Sequence, residues 1–196
     1  LLVIAAALTG GYLVSARAGD ARSSLTSALD TLPADTLVAG FTNWSAIRDA
    51  LDLGDASTPG VRAALNDDAS LRDLSTRSVI GRSVEEMHQS FGWSAADLDW
   101  EVYGQAGDGA AMVARFDDSI SLSDVRGTLR TLGYKQDGPV WNSTSSSPIT
   151  GELAATLASL AIVPGKRLVV AAGRETYVRT VLQVIDRDDP SLLTVR

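Results

Sequence analysis

Trp100-Glu101-Val102-Tyr103-Gly104-Gln105-Ala106-Gly107-Asp108-Gly109-Ala110-Ala111-Met112-Val113-Ala114-Arg115-Phe116 is the stretch that decides the fold. Upstream of it, apolar residues recur at helical spacing; from Trp100 the period shortens to two, the repeat of a strand. Residues 101–106 and 110–116 read as two strands, and Gly107-Asp108-Gly109 between them is a hairpin turn. An antiparallel pair set among helices places the chain in the α+β class.

Working downstream, Ser121 caps a helix over 122–132, with Leu122, Val125, Leu129 and Leu132 on its apolar stripe and Gly133 as its stop. Residues 134–136 and 139–141 flank Asp137-Gly138, a second hairpin signal. The run NSTSSSP over 142–148 reads as a loop. Residues 153–160 fit helix or strand equally. Strands follow over 161–163 and 168–171, then a helix over 174–185 burying Val178, Val181, Leu182 and Ile185.

Working upstream, 37–41 reads as a buried strand, and Asn43 caps a helix over 44–53. Ser57-Thr58-Pro59 opens another helix, and Leu71 with Leu74 suggests a short one after it. Ser83 and Glu86 have capping-box spacing for a helix that ends at Gly92. Residues 37–141 then fit a ferredoxin-like β-α-β-β-α-β unit with extra helices in its first crossover, extended by further C-terminal strands and a helix.

Residues 1–16, LLVIAAALTGGYLVSA, carry no charge. A spanning helix needs about twenty apolar residues. The run starts without Met, so residues are expected upstream. A retained transmembrane anchor is the expected reading; the small-x-small pattern Ala16-Arg17-Ala18 keeps a cleaved signal peptide as the competitor. The expected organisation is an anchor over 1–18, a stalk or linker over 19–33, and an α+β domain over 34–196 on the extracytoplasmic side, open to continuation past Arg196.

The 196 residues carry a net charge of −7. A nucleic-acid binder needs a clustered basic face, so nucleic acid is not an expected partner. The chain has no cysteine, which removes thiolate catalysis, thiolate-held zinc, iron–sulfur clusters and disulfides. No cofactor is expected.

His88, the one histidine, lacks a nucleophile signature and reads as a surface helical residue. The pairs Asp67-Asp68, Asp117-Asp118 and Asp188-Asp189 lack calcium-loop spacing and read as caps or solvated turns. Asp97, Asp99 and Glu101 alternate, so a continuous strand would put all three on one face, where paired carboxylates could do acid–base work. Gly104, Gly107 and Gly109 join two strands, not strand to helix, and do not form a phosphate loop. Trp44, Trp93, Trp100 and Trp141 are either core or a partly exposed patch that grips a partner protein or lipid. Gly10 and Gly11 would let the anchor pack closely on another membrane helix.

Leu32-Pro33-Ala34-Asp35-Thr36, a strand, then Asn43-Trp44-Ser45, and later Gly92-Trp93-Ser94 with Leu98-Asp99-Trp100-Glu101-Val102-Tyr103-Gly104, resemble exported or membrane-anchored actinobacterial proteins of unknown function. That resemblance implies an envelope protein and transfers no active site. The expected function is a non-catalytic accessory or interaction protein of a membrane complex, touching lipid through residues 1–16 and another membrane protein through anchor and domain. The alternative is an extracytoplasmic domain holding a lipid or small apolar ligand between sheet and helices.

Overall fold

The computed structural model describes residues 3–5 and 17–194, except 55, 57, 72, 146, 148 and 150. Its strands are β1 (Val3–Ala5), β2 (Val38–Asn43), β3 (Leu98–Gln105), β4 (Ala110–Phe116), β5 (Lys135–Asp137), β6 (Val140–Asn142), β7 (Ser159–Val163) and β8 (Leu168–Ala172). Its helices are α1 (Arg17–Leu29), α2 (Trp44–Ala50), α3 (Thr58–Leu71), α4 (Val84–Phe91), α5 (Leu122–Thr131), α6 (Gly151–Thr156) and α7 (Glu175–Asp186). Seven strands make one antiparallel sheet in the order β2-β3-β4-β8-β7-β6-β5, and β1 adds in parallel beside β2.

Side-chain chemistry accounts for this order. β8, Leu-Val-Val-Ala-Ala, is apolar at every position and buried along its whole length, which suits a central strand covered on both faces. It pairs with β4 from Ala111↔Ala172 to Arg115↔Leu168. β5, Lys-Gln-Asp, is exposed at all three positions and ends the sheet, since an edge tolerates short charged strands.

Helices cover both faces. α2 to α6 bury Trp44, Leu65, Met87, Phe91, Leu129 and Leu153 against one face, which includes Met112, Phe116 and Leu160. α1 and α7 bury Ala28, Leu29, Val178, Val181 and Ile185 against the other, which includes Val102, Val113 and Val170. The two faces are called here the five-helix and two-helix faces. The last turn of α7 and the residues after it clamp the end of α1: Pro33 bridges Ser191, Leu192 N–H donates to Leu32 O at 2.8 Å, and Arg187 pairs with Asp30.

Several expectations are revised. The ferredoxin-like order is not formed: β2 and β3 are antiparallel neighbours with α2 to α4 between them in sequence, and β8 takes the place beside β4. Two helix layers enclose the sheet. The strand expected to be buried over 37–41 is not buried throughout: Leu37, just before β2, is 61% and Val38, its first residue, 47% exposed. Residues 19–33 are not wholly a stalk, because Ala28, Leu29 and Leu32 are buried in the two-helix face. Leu71 closes α3 and Leu74 lies in a turn, so no separate helix follows. The ambiguous 153–160 segment divides between the end of α6 and the start of β7.

The anchor expected over residues 1–16 falls mostly outside the described residues. The part that is described, Val3–Ala5, is a strand pairing with Val38–Gly40 rather than a turn of helix. Among the described residues no helix is long and apolar enough to cross a membrane.

Candidate functional site

The alternation of Asp97, Asp99 and Glu101 does not survive folding. Leu98 pairs with Phe116 and Trp100 with Arg115, so Asp99 is the extra residue of a bulge. The bulge puts Leu98 in the five-helix core and Trp100 in the two-helix core. Asp97 lies before it, in a 3-10 turn, where its Oδ2 accepts from Ser94 N–H at 2.7 Å while Ser94 Oγ accepts from Ala96 N–H at 3.2 Å. Asp99 pairs with Arg115. Three carboxylates thus go to three separate structural tasks.

Glu101 is the most enclosed of them, at 1% exposure. Its Oε1 accepts from Val79 N–H at 2.6 Å; its Oε2 accepts from Ser78 O–H at 2.5 Å and Trp44 Nε1–H at 3.2 Å. Ser78 Oγ accepts in turn from Ile80 N–H at 3.1 Å and Gly81 N–H at 2.7 Å. One carboxylate therefore ties the 78–81 turn and the first residue of α2 to β3. Burial pushes its pKa up, and the Ser78, Val79 and Trp44 donors pull against that. Its hydrogen-bond partners Trp44, Ser78 and Val79 are all donors, which makes it a clamp between their segments and β3. Sequence reading missed this cluster; the signal was a lone Glu inside the apolar Trp-Glu-Val-Tyr run.

The tryptophans are built into the cores. Trp44, Trp93, Trp100 and Trp141 are at most 3% exposed, so they form no contact patch. Trp93 packs edge-on against Phe116 at 5.0 Å between ring centroids, and Arg130 lies 5.2 Å over Trp141. Gly10 and Gly11 lie outside the described residues. His88 is half-buried in α4 with its Nδ1 lacking a hydrogen-bond partner. Asp67, Asp68, Asp118, Asp188 and Asp189 are exposed, and Asp117 accepts from Ser119 in a turn. Among the described residues no group of His, Asp and Glu could hold a metal ion. Gly104 and Gly109 serve packing: a Cβ would stand 2.7 Å from Leu32 Cδ2 at the first and 2.5 Å from Tyr177 Cδ2 at the second.

Among the described residues, a hollow lies on each side of the sheet. On the five-helix side, a hollow of about 290 Å3 lies between α2, α3 and the turn holding Asp97. Arg48 crosses it and donates to Ala96 O at 3.1 Å and Leu98 O at 2.7 Å. On the two-helix side, a groove of about 410 Å3 runs between α1, the sheet and the end of α7. Ser23, Ser24, Ser27, Asp30 and Thr31 form its α1 wall, Trp100 and Leu168 belong to its sheet side, and Arg115, Lys166 and Arg187 bring cations to it from three elements. Lys166 Nζ donates to Ile185 O and Arg187 Nη2 to Asp30 Oδ2, both at 2.5 Å. The Arg187 hydrogen bond holds the Asp30 carboxyl below its usual range.

The two antiparallel edges differ. β5 is three residues, charged and exposed. β2, Val-Ala-Gly-Phe-Thr-Asn, is six residues without charge or proline. Compared with family models, with curated proteins and with solved structures, the chain matches none of them.

Proposed function

We propose that the chain is a non-catalytic accessory protein of the cell envelope, tethered by residues 1–16 and contacting a membrane-protein partner through the edge of β2. The observation that carries this reading is the contrast between the two edges. An uncharged strand with exposed Leu37 and Val38 lacks the devices that keep sheet edges from pairing. Strand addition at such an edge uses main-chain hydrogen bonds for affinity and side-chain pockets for choice of partner. That Val3–Ala5 sit there in parallel supports a β2 receptive to an apolar strand. A three-residue parallel ladder is a weak hold. Entry of residues 1–16 into a bilayer would release it and leave β2 open. The saturated Glu101 carboxylate supports the non-catalytic part.

The alternative, an apolar ligand between sheet and helices, draws no support from these two hollows, which are lined largely by charged and hydroxyl side chains.

The test is Val38→Lys in the full chain, purified from gently solubilised membranes. Val38 is half exposed, so the melting temperature should stay within about 2 °C, while co-purification of the partner is lost. Retention of the partner by Val38→Lys sinks the edge reading. A wild-type chain that pairs only with itself in light scattering sinks the hetero-partner reading.

A further inference from the structure

We propose that the groove between α1 and α7 binds a phosphate-bearing anion. Three cationic side chains reach it from β4, from the turn before β8 and from the residue after α7, against two carboxylates, Asp30 and Asp99. One positive charge is left over there, in a chain whose total is −7. Attraction of an anion to this hollow would run against the mean field of the protein, as built anion sites do.

The donor chemistry fits phosphate. An ammonium has three N–H donors and a guanidinium five. Among the hydrogen bonds described, Lys166 uses one on Ile185 O, Arg187 pairs with Asp30, and Arg115 pairs with Asp99. Lys166 and Arg187 also offset the negative end of α7, and Ser24 and Ser27 line the same groove. Guanidinium forks match phosphate oxygens geometrically, and hydroxyls add neutral donors. Ion pairs at the rim keep the cations in place without saturating them. The volume, about 410 Å3, is in the range of small-molecule sites and exceeds what a bare phosphate needs. Leu168 and Ile185 at its floor would take the apolar part of an ester. A soluble phosphomonoester and a lipid headgroup share this chemistry.

The experiment is calorimetric titration of the full chain in nonionic detergent with three probes: inorganic phosphate, glycerol 3-phosphate and dihexanoyl phosphatidic acid. Binding is expected for all three. Equal affinity for the last two points to a soluble ester; tighter binding of the short-chain lipid points to a headgroup. Lys166→Gln and Arg187→Gln should each weaken binding about tenfold, the worth of one charge-assisted hydrogen bond. Ser27→Ala, which touches no ion pair, should weaken it severalfold, and Arg82→Gln, beside α4, should leave it unchanged. Melting of each unliganded variant separates lost binding from lost folding. Absence of binding at millimolar phosphate overturns the proposal. So does equal weakening by Arg82→Gln, which would mean general charge screening, or indifference to both Lys166→Gln and Ser27→Ala.

Discussion

Replacing Glu101 by Gln removes one oxygen from a site where three donors converge. Trp44 Nε1–H and Ser78 O–H lie on Oε2 and Val79 N–H on Oε1. The amide cannot satisfy all of them. With its oxygen toward Trp44 and Ser78, its NH2 opposes Val79 N–H; turned over, it opposes the other two. Ser78 cannot rotate its hydrogen away without facing the amides of Ile80 and Gly81, which donate to its oxygen. At least one buried donor is orphaned, a loss of about 1–3 kcal/mol, and a charge-assisted bond becomes a neutral one. The expected destabilisation is about 2–3 kcal/mol, or about 4–12 °C in melting temperature for a domain of this size. Urea unfolding followed by tryptophan fluorescence measures it, with an unchanged m-value showing that the native state is otherwise intact. The pH dependence gives an independent check. Glu101 has a folded pKa above its ordinary 4.5, so the native state holds the proton where the unfolded state has released it. Its contribution is then fully present below 4.5 and declines as pH rises through the folded pKa. The gap between wild type and Glu101→Gln should therefore widen on acidification. A destabilisation under 0.5 kcal/mol refutes the clamp, and a gap that narrows as pH falls refutes the raised pKa of Glu101.

Two further outcomes test local readings of the fold. Ser83→Ala should leave stability within about 0.5 kcal/mol, because Ser83 makes no side-chain cap, whereas Ser94→Ala should lower it by about 1 kcal/mol, because Ser94 and Asp97 form the reciprocal pair; chemical denaturation of both variants checks this. Gly109→Ala should cost about 1–3 kcal/mol, since the new methyl meets the buried Tyr177 ring, and calorimetry reads the loss.

Those capping serines show what was legible in the sequence. Ser83 and Glu86 have the right spacing, yet the backbone of Ser83 (φ −119°, ψ 30°) leaves its hydroxyl without a cap bond. Local pattern states what a segment can do, and tertiary contacts choose. The two hairpins, the Asn43 and Ser121 caps and the Gly92 stop were readable because each depends on neighbours in sequence. Sheet order was not, because which strand joins β4 is decided by burial on two faces at once. The Asp99 bulge was equally hidden: strict alternation predicts one face, and a single inserted residue changes which core Trp100 enters. The Glu101 clamp joins residues 57 and 23 positions apart, beyond any spacing rule.

The clamp between Pro33 and Ser191 governs how the chain is made. Asp30 and Arg187 stand 157 residues apart, so α1 meets its fastening only after residues 30–187 have left the ribosome. Until then the two-helix layer has one wall, and Val102, Val113 and Val170 wait uncovered beside it. Closing so long a loop late makes folding slow and leaves nascent chains dependent on protection from aggregation. Until α7 has emerged, the two-helix side of the sheet stays open to capture by a chaperone.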